Sequence, residues 1–156
     1  MLEEARTARV CSLNPDGTIH AAPLWFLYAQ GQICCATPIG SQKARNIQRT
    51  QAVTVLIDSE DPPAKGVIIY GTATVDELES RDLPWFISLY AKYMPQDRAE
   101  TRAQTIFTIS TWAKITVKPM RYASYDYAKD TAYARASHEL TINTLKAKSP
   151  DDLARV

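Results

Sequence analysis

Histidine is scarce, with two in 156 residues, His20 and His138. No cluster of carboxylates accompanies either, so the sequence offers no ligand set for a metal ion. His20 follows a turn in a strand-like stretch and reads as a partly exposed strand histidine, and His138 reads as solvated. Cysteine is nearly as sparse: Cys11, Cys34 and Cys35 cannot all pair within one chain. Cys34 and Cys35 are adjacent in a strand-like run, so their side chains point to opposite faces. That suits neither a metal pair nor a redox motif, and all three read as reduced packing residues of a cytoplasmic protein. Excess charge is lacking too. The formal net charge of +1 argues against a nucleic-acid partner, which needs clustered surplus Lys and Arg. No apolar run approaches the roughly 20 residues of a membrane span. The opening Met1-Leu2-Glu3-Glu4 does not begin a signal peptide. Neither a Gly-x-Ser-x-Gly nor a Walker pattern occurs, and nothing supplies an obvious general base.

What is present suits one globular domain. Apolar residues make up 46% of the chain and charged residues 22%, enough for a core. The stretch Ala36-Thr37-Pro38-Ile39-Gly40-Ser41-Gln42-Lys43-Ala44-Arg45-Asn46-Ile47 organises the rest. Its apolar lead-in, Ile33 to Ala36, predicts a strand. A Pro38/Gly40 turn follows, Ser41 is a good N-cap, and Lys43 to Gln48 predicts a helix. A strand, a tight turn and a helix start make an anion site, because the first helical N–H groups lack partners and the helix dipole favours negative charge there. Ser41 adds a hydroxyl, and Lys43 and Arg45 add charge. The same residues also fit an ordinary capped surface helix with solvated basic side chains.

Taken in order, Arg9 to Leu13 predicts a short strand, and Asn14-Pro15-Asp16-Gly17 a turn. Ile19 to Tyr28 predicts one longer strand, Ala29 to Gln32 a turn, and Ile33 to Thr37 a third strand, together a meander of hairpins. Ala52 to Asp58 is a β-branched strand, and Ser59 to Lys65 a loop. Gly66 to Val75 predicts another strand, in which Gly71 marks a bulge or a close backbone approach. From Glu77 to about Met94 the pattern is helical, with Leu83, Phe86, Ile87, Tyr90 and Met94 at three- and four-residue spacing and Pro84 in a first turn or at a break. Asp97 to Gln104 predicts an exposed polar helix. Ile106 to Val117 predicts a strand with Trp112 near its middle, ended by Lys118 to Arg121, and Tyr122 to Tyr127 a last short strand. Residues 129–156 read as a polar, weakly helical tail behind a domain spanning 1–128. Six strands with inserted helices predict a mainly β fold, a small six-stranded antiparallel barrel of Greek-key type.

Three pieces, in their order and spacing, make the chain from Arg9 to Tyr127 resemble the flavin-binding split-barrel superfamily, the pyridoxamine 5'-phosphate oxidase-like proteins. The first is Asp16-Gly17 leading into Ala21-Ala22-Pro23-Leu24-Trp25-Phe26. The second is Thr37 to Asn46 followed by the strand Val53 to Ile57. The third is Lys65-Gly66-Val67-Ile68-Ile69-Tyr70-Gly71-Thr72-Ala73. The resemblance implies that Ala22, Pro23, Leu24, Trp25 and Phe26 lie along a flavin ring. It implies that Ala36 and Thr37 meet the ring or ribityl chain, and that Ser41, Gln42 and Lys43 hold the phosphate of FMN. Gly66 stands where the family brings a glutamine to the ring. The family forms homodimers with two flavin sites at the interface, and Trp112 and Tyr125 are candidates for the partner's contribution.

The sequence departs from the true oxidases at several positions. Ala21 stands where they carry an arginine, Gln42 where a second basic residue precedes the lysine, and the end Pro119 to Lys129 contains no Arg-x-His. The resemblance therefore implies an FMN-dependent oxidoreductase acting on an unknown small organic substrate other than pyridoxamine 5'-phosphate. A deazaflavin-dependent reductase of the same fold and a non-catalytic flavin-binding module are its alternatives. Eight tyrosines, three tryptophans and three phenylalanines exceed what one small barrel can cover. Trp85, Phe86, Trp112 and Tyr125 are candidates for an apolar patch that a dimer would bury.

Overall fold

The computed structural model describes residues 1–59, 61–129 and 132. Residues 133–156, with the expected helical tail and His138, lie outside the described residues. Contacts divide the chain into two units, Met1–Asp58 with Gly66–Ser124, and Ser59–Lys65 with the chain from Tyr125 onward.

The first unit is a curled antiparallel sheet of seven strands forming a half-barrel, with three helices. The strands are β1 (Ala8–Leu13), β2 (Ile19–Leu24), β3 (Phe26–Ala29), β4 (Gln32–Pro38), β5 (Ala52–Asp58), β6 (Lys65–Glu77) and β7 (Trp112–Asp126). Their order across the sheet is β2-β1-β5-β6-β7-β4-β3. Alternation in the sequence sets the buried face. Val10 pairs with Val55 and Val55 with Ile69. Ile115 pairs with Cys35 and Cys35 with Phe26. All six are fully buried in one core cluster. Each such aliphatic or aromatic side chain removed from water contributes about 1.5–3 kcal/mol.

Helix α1 (Gln42–Thr50) follows β4 and sends Ile47 into that core. A 3₁₀ turn at Ser80–Asp82 leads into α2 (Leu83–Ala91), where Pro84 occupies the first turn, and α3 (Gln96–Thr108) follows. These two helices pack through a second apolar cluster of Leu78, Phe86, Tyr90, Ala99 and Ala103. In the second unit, Ser59 and Lys65 close their loop by two hydrogen bonds, Ser59 N to Lys65 O at 2.8 Å and Lys65 N to Ser59 Oγ at 3.1 Å. Tyr127 N donates to Ala64 O at 3.0 Å.

Several elements differ from the sequence reading. The expected strand from Ile19 to Tyr28 breaks at Trp25 and its halves lie at opposite ends of the sheet order, while the two stretches expected as strands after Ile106 and after Tyr122 belong to the single β7, giving seven strands where six were expected. The expected exposed polar helix buries Ala99 and Ala103 completely against α2. It also runs on to Thr108, so Ile106 and Phe107 are helical and Trp112 opens β7 instead of lying at its middle. Phe86 is fully buried and belongs to no surface patch. β7 passes through Pro119 without ending. The Lys118 carbonyl faces Gly71 on β6, so the position of residue 119's missing amide proton faces the β4 side, where pairing stops at Ile33↔Val117 and no donor is needed.

Gly71 is the close approach that the sequence marks. A Cβ there would lie 2.3 Å from the Lys118 carbonyl oxygen, a backbone atom fixed by the β6–β7 pairing. Gly71→Ala is therefore expected to destabilise the fold by about 2 kcal/mol or more, read as a lower urea midpoint.

Candidate functional site

The turn between β4 and α1 gathers the polar residues singled out by the sequence. Ser41 is the N-cap of α1 and accepts from Ala44 N at 3.4 Å. Its hydroxyl lies 2.9 Å from that of Thr37, a residue almost wholly buried near the end of β4. Lys43 Nζ donates to Thr37 Oγ1 at 3.1 Å. Burial pushes the Lys43 ammonium below its ordinary pKa. Among the described residues no carboxylate pairs with it, and the first turn of α1 holds no acidic residue. A half-buried cation at the positive end of a helix dipole is unfavourable by itself. The arrangement therefore favours an anion, with the first N–H groups of α1 and two hydroxyls beside it. Gln42 is differently placed. Its amide donates to Asn46 at 2.9 Å and to Asn14 at 3.3 Å, and its carbonyl accepts from Arg45 at 2.7 Å. Its side chain braces the turn.

A cavity of about 250 Å³ lies against β4 at Ala36. Pro23, Leu24 and Trp25 line it from β2 and the link that follows, and Ala36 and Trp112 from β4 and β7. Phe86, Leu89 and Tyr90 of α2 complete the wall. The sequence shows the apolar stripe that carries Phe86 and Tyr90, but nothing local says what that stripe faces. Rings hold the wall in place. Trp25 stacks on Tyr93 with centroids 4.6 Å apart and planes 6° apart, and meets Tyr90 edge-on at 5.2 Å. Trp112 lies 5.2 Å from Phe86 and donates Nε1–H to Ile106 O at 2.9 Å. Ala36 in the wall and Thr37 in the polar turn are consecutive on β4, so their side chains leave the strand on opposite faces close to its end.

The remaining candidates lie elsewhere. Ala22 is buried in β2 opposite Val10. Phe26 is in the barrel core, with Lys92 Nζ 3.6 Å from its ring centroid. Gly66 is buried at the start of β6, opposite Asp58. Tyr125 belongs to the second unit, 5.4 Å from the Tyr127 ring. A larger, open groove of about 790 Å³ runs along α3 past Met94, Arg98, Arg102 and Ile106 and contains none of the candidate residues. Among the described residues no group of His, Cys, Asp or Glu could hold a metal ion, and the three cysteines are free. No described helix is long and apolar enough to cross a membrane.

Comparison with known proteins bears on this geometry. A family profile described as pyridoxamine 5'-phosphate oxidase matches residues 1–122. No curated protein matches the chain. Among solved structures, a conserved hypothetical protein from Mycobacterium tuberculosis is similar at 24% identity and TM-score 0.68, over 80% of this chain and 79% of that one. An F420 reductase is similar at 21% identity and TM-score 0.60, over 78% and 92%. A pyridoxamine 5'-phosphate oxidase-related, FMN-binding protein from Nostoc punctiforme is similar at 16% identity and TM-score 0.57, over 80% and 75%. At these identities the likeness is one of fold.

The Tyr93 hydroxyl anchors the cavity wall to the barrel. It accepts from Phe26 N at 2.9 Å and donates to Arg6 O at 2.7 Å, and burial raises its pKa to about 12. Tyr93→Phe leaves the Phe26 donor and the Arg6 acceptor without this partner. It is expected to cost about 1–3 kcal/mol, measured by urea unfolding.

Proposed function

The chain belongs to the pyridoxamine 5'-phosphate oxidase family, and on that premise we propose that it binds FMN and acts as an oxidoreductase on a small organic substrate. The observation that carries this reading is Lys43, half-buried at the start of α1, held by the Thr37 hydroxyl and matched by no described carboxylate. A phosphate of about −1.5 to −2 charge answers that environment, with Thr37, Ser41 and Lys43 as its ligands. The apolar cavity along Ala36 suits a flat aromatic ring, with Pro23, Leu24, Trp25 and Trp112 beside it. Bound there, the flavin would supply hydride or electron transfer. The chain's own residues bind and orient it and keep water from the ring. The deazaflavin coenzyme is a second reading, favoured by the likeness to the F420 reductase. A flavin carrier without turnover is the outcome if the bound cofactor is never reduced.

Pyridoxamine 5'-phosphate is not the proposed substrate. Ala21 lies on β2 opposite Cys11, and β7 ends in Ser124-Tyr125-Asp126 with no Arg-x-His. We further propose a homodimer in which each subunit completes the other's flavin site, with Tyr125 as a candidate contribution.

Titration of the apoprotein with FMN tests the phosphate turn. Lys43→Ala is expected to weaken binding by about 1.5–3 kcal/mol, the scale of a hydrogen bond to a charged group. Unchanged affinity would remove Lys43 from the site. Sedimentation at low micromolar protein tests the assembly. A dimer that releases FMN when diluted into monomer is expected, and a stable monomer that still binds FMN rules out the shared site.

A further inference from the structure

Among the described residues, no lining side chain of the cavity is charged, yet a cation stands beside it. Lys114 on β7 lies directly opposite Ala36 on β4, and directly paired residues share a face of the sheet. Its side chain therefore leaves the sheet on the side where Ala36 and Trp112 line the cavity. The burial of β7 agrees, with Ala113, Ile115 and Val117 buried and Lys114 and Thr116 alternating with them. The ammonium lies 5.1 Å from the Trp85 ring centroid, within cation–π range.

The charged and titratable groups around Lys114 are few. On β4, Lys114 is near enough to Cys34 to oppose the rise in thiol pKa that burial causes. Just past β6, Leu78 N donates to Trp112 O, which puts Asp76 of β6 across from Lys114 in antiparallel register. The Asp76 carboxylate accepts from Thr74 Oγ1 at 3.0 Å and makes no described ion pair with Lys114. On α2 the neighbour is Trp85, and that helix carries no charged residue.

We propose that Lys114 supplies positive charge to the ring of the cofactor and so favours its anionic, two-electron-reduced form. The assignment rests on the reading of the cavity as the ring site. A flavin ring is neutral when oxidised. Two electrons and one proton leave it with one negative charge, and two electrons with two protons leave it neutral. A cation at a poorly hydrated wall stabilises the charged product. Its effect differs between the two redox states, so it moves the reduction potential rather than the affinity for oxidised cofactor.

Lys114→Met and Lys114→Gln remove the charge, and Lys114→Arg keeps it. Each FMN-loaded protein is titrated with dithionite against a reference dye across neutral pH, and its affinity for oxidised FMN is measured separately. Both charge-free variants are expected to lose at least tenfold of the preference for reduced over oxidised FMN. For a two-electron couple that is a potential about 30 mV lower. They are also expected to take up a second proton on reduction where the parent takes up one, while binding oxidised FMN as the parent does. Lys114→Arg is expected to restore both readouts. Unchanged potential and proton uptake in the charge-free variants would overturn the assignment, as would equal loss of affinity for both redox states. Failure of the parent chain to bind FMN or deazaflavin coenzyme overturns the ring-site reading itself, a separate outcome seen before any variant is compared.

Discussion

The architecture depends on a one-residue link. β2 and β3 stand at opposite ends of a seven-stranded order, yet only Trp25 separates Leu24 from Phe26. Sheet ends that share one linking residue must meet, so the sheet curls until they do. The link also frees Trp25 from the ladders and leaves the residue 36% exposed. There Tyr93 stacks on it and Tyr90 meets it edge-on. Phe26 N, just past the break, donates to the Tyr93 hydroxyl, which in turn donates to Arg6 O. One side chain thus answers a donor freed by the break and holds the wall of the cavity. Closure of the sheet and shape of the site have a common cause.

The electrostatics of the site follow from what the chain leaves out. Helix α1 begins with no acidic residue in its first turn and carries Lys43 there instead. Desolvation works against that ammonium, and the helix dipole adds to the cost. The Thr37 and Ser41 hydroxyls can turn toward an anion, and the first N–H groups of α1 lack helical carbonyl partners, so an anion converts the unfavourable arrangement into a binding one. The strain sits at the turn, while the six-residue row from Val10 to Phe26 keeps the barrel beneath it closed-packed. Stability and binding draw on different parts of the chain, as expected where a functional site breaks local rules that the core obeys.

What the sequence revealed follows the range of the forces involved. Ser41 as N-cap and the helix after it depend on a few neighbouring residues, and both are where the pattern puts them. Gly71 was legible because a glycine inside a β-branched strand has few other reasons to be there, and the Lys118 carbonyl supplies one. The break at Trp25 was not legible. Ile19 to Tyr28 has the composition of a single strand, and only closure of the whole sheet divides it. The end of α3 was hidden for a related reason: Ile106 and Phe107 suit strand or helix equally. Packing of Ala99 and Ala103 against α2 decides for the helix, and two alanines in a polar run give a weak apolar signal. Phe86 and Tyr90 were visible as a helical stripe, but the cavity they close exists only after Trp25 and Trp112 arrive from distant parts of the chain.

The register of β4 connects these pieces. Its residues alternate between two faces: Ile33 and Cys35 enter the barrel core and Thr37, on their side, meets Ser41 and Lys43, while Ala36 on the other face lines the cavity. The ladder with β7 fixes that alternation by setting Cys35 against Ile115 and Ala36 against Lys114. Because side chains alternate with a period of two, a slip of one residue would bring Cys34 and Ala36 to the core and carry Cys35 outward. It would also shift the start of α1 relative to the cavity, since only Ile39, Gly40 and Ser41 separate the strand from the helix. The fully buried Cys35–Ile115 pair therefore does more than fill space. By holding one register it sets Ala36 at the cavity, Lys114 opposite it on β7, and the start of α1 just past the end of β4.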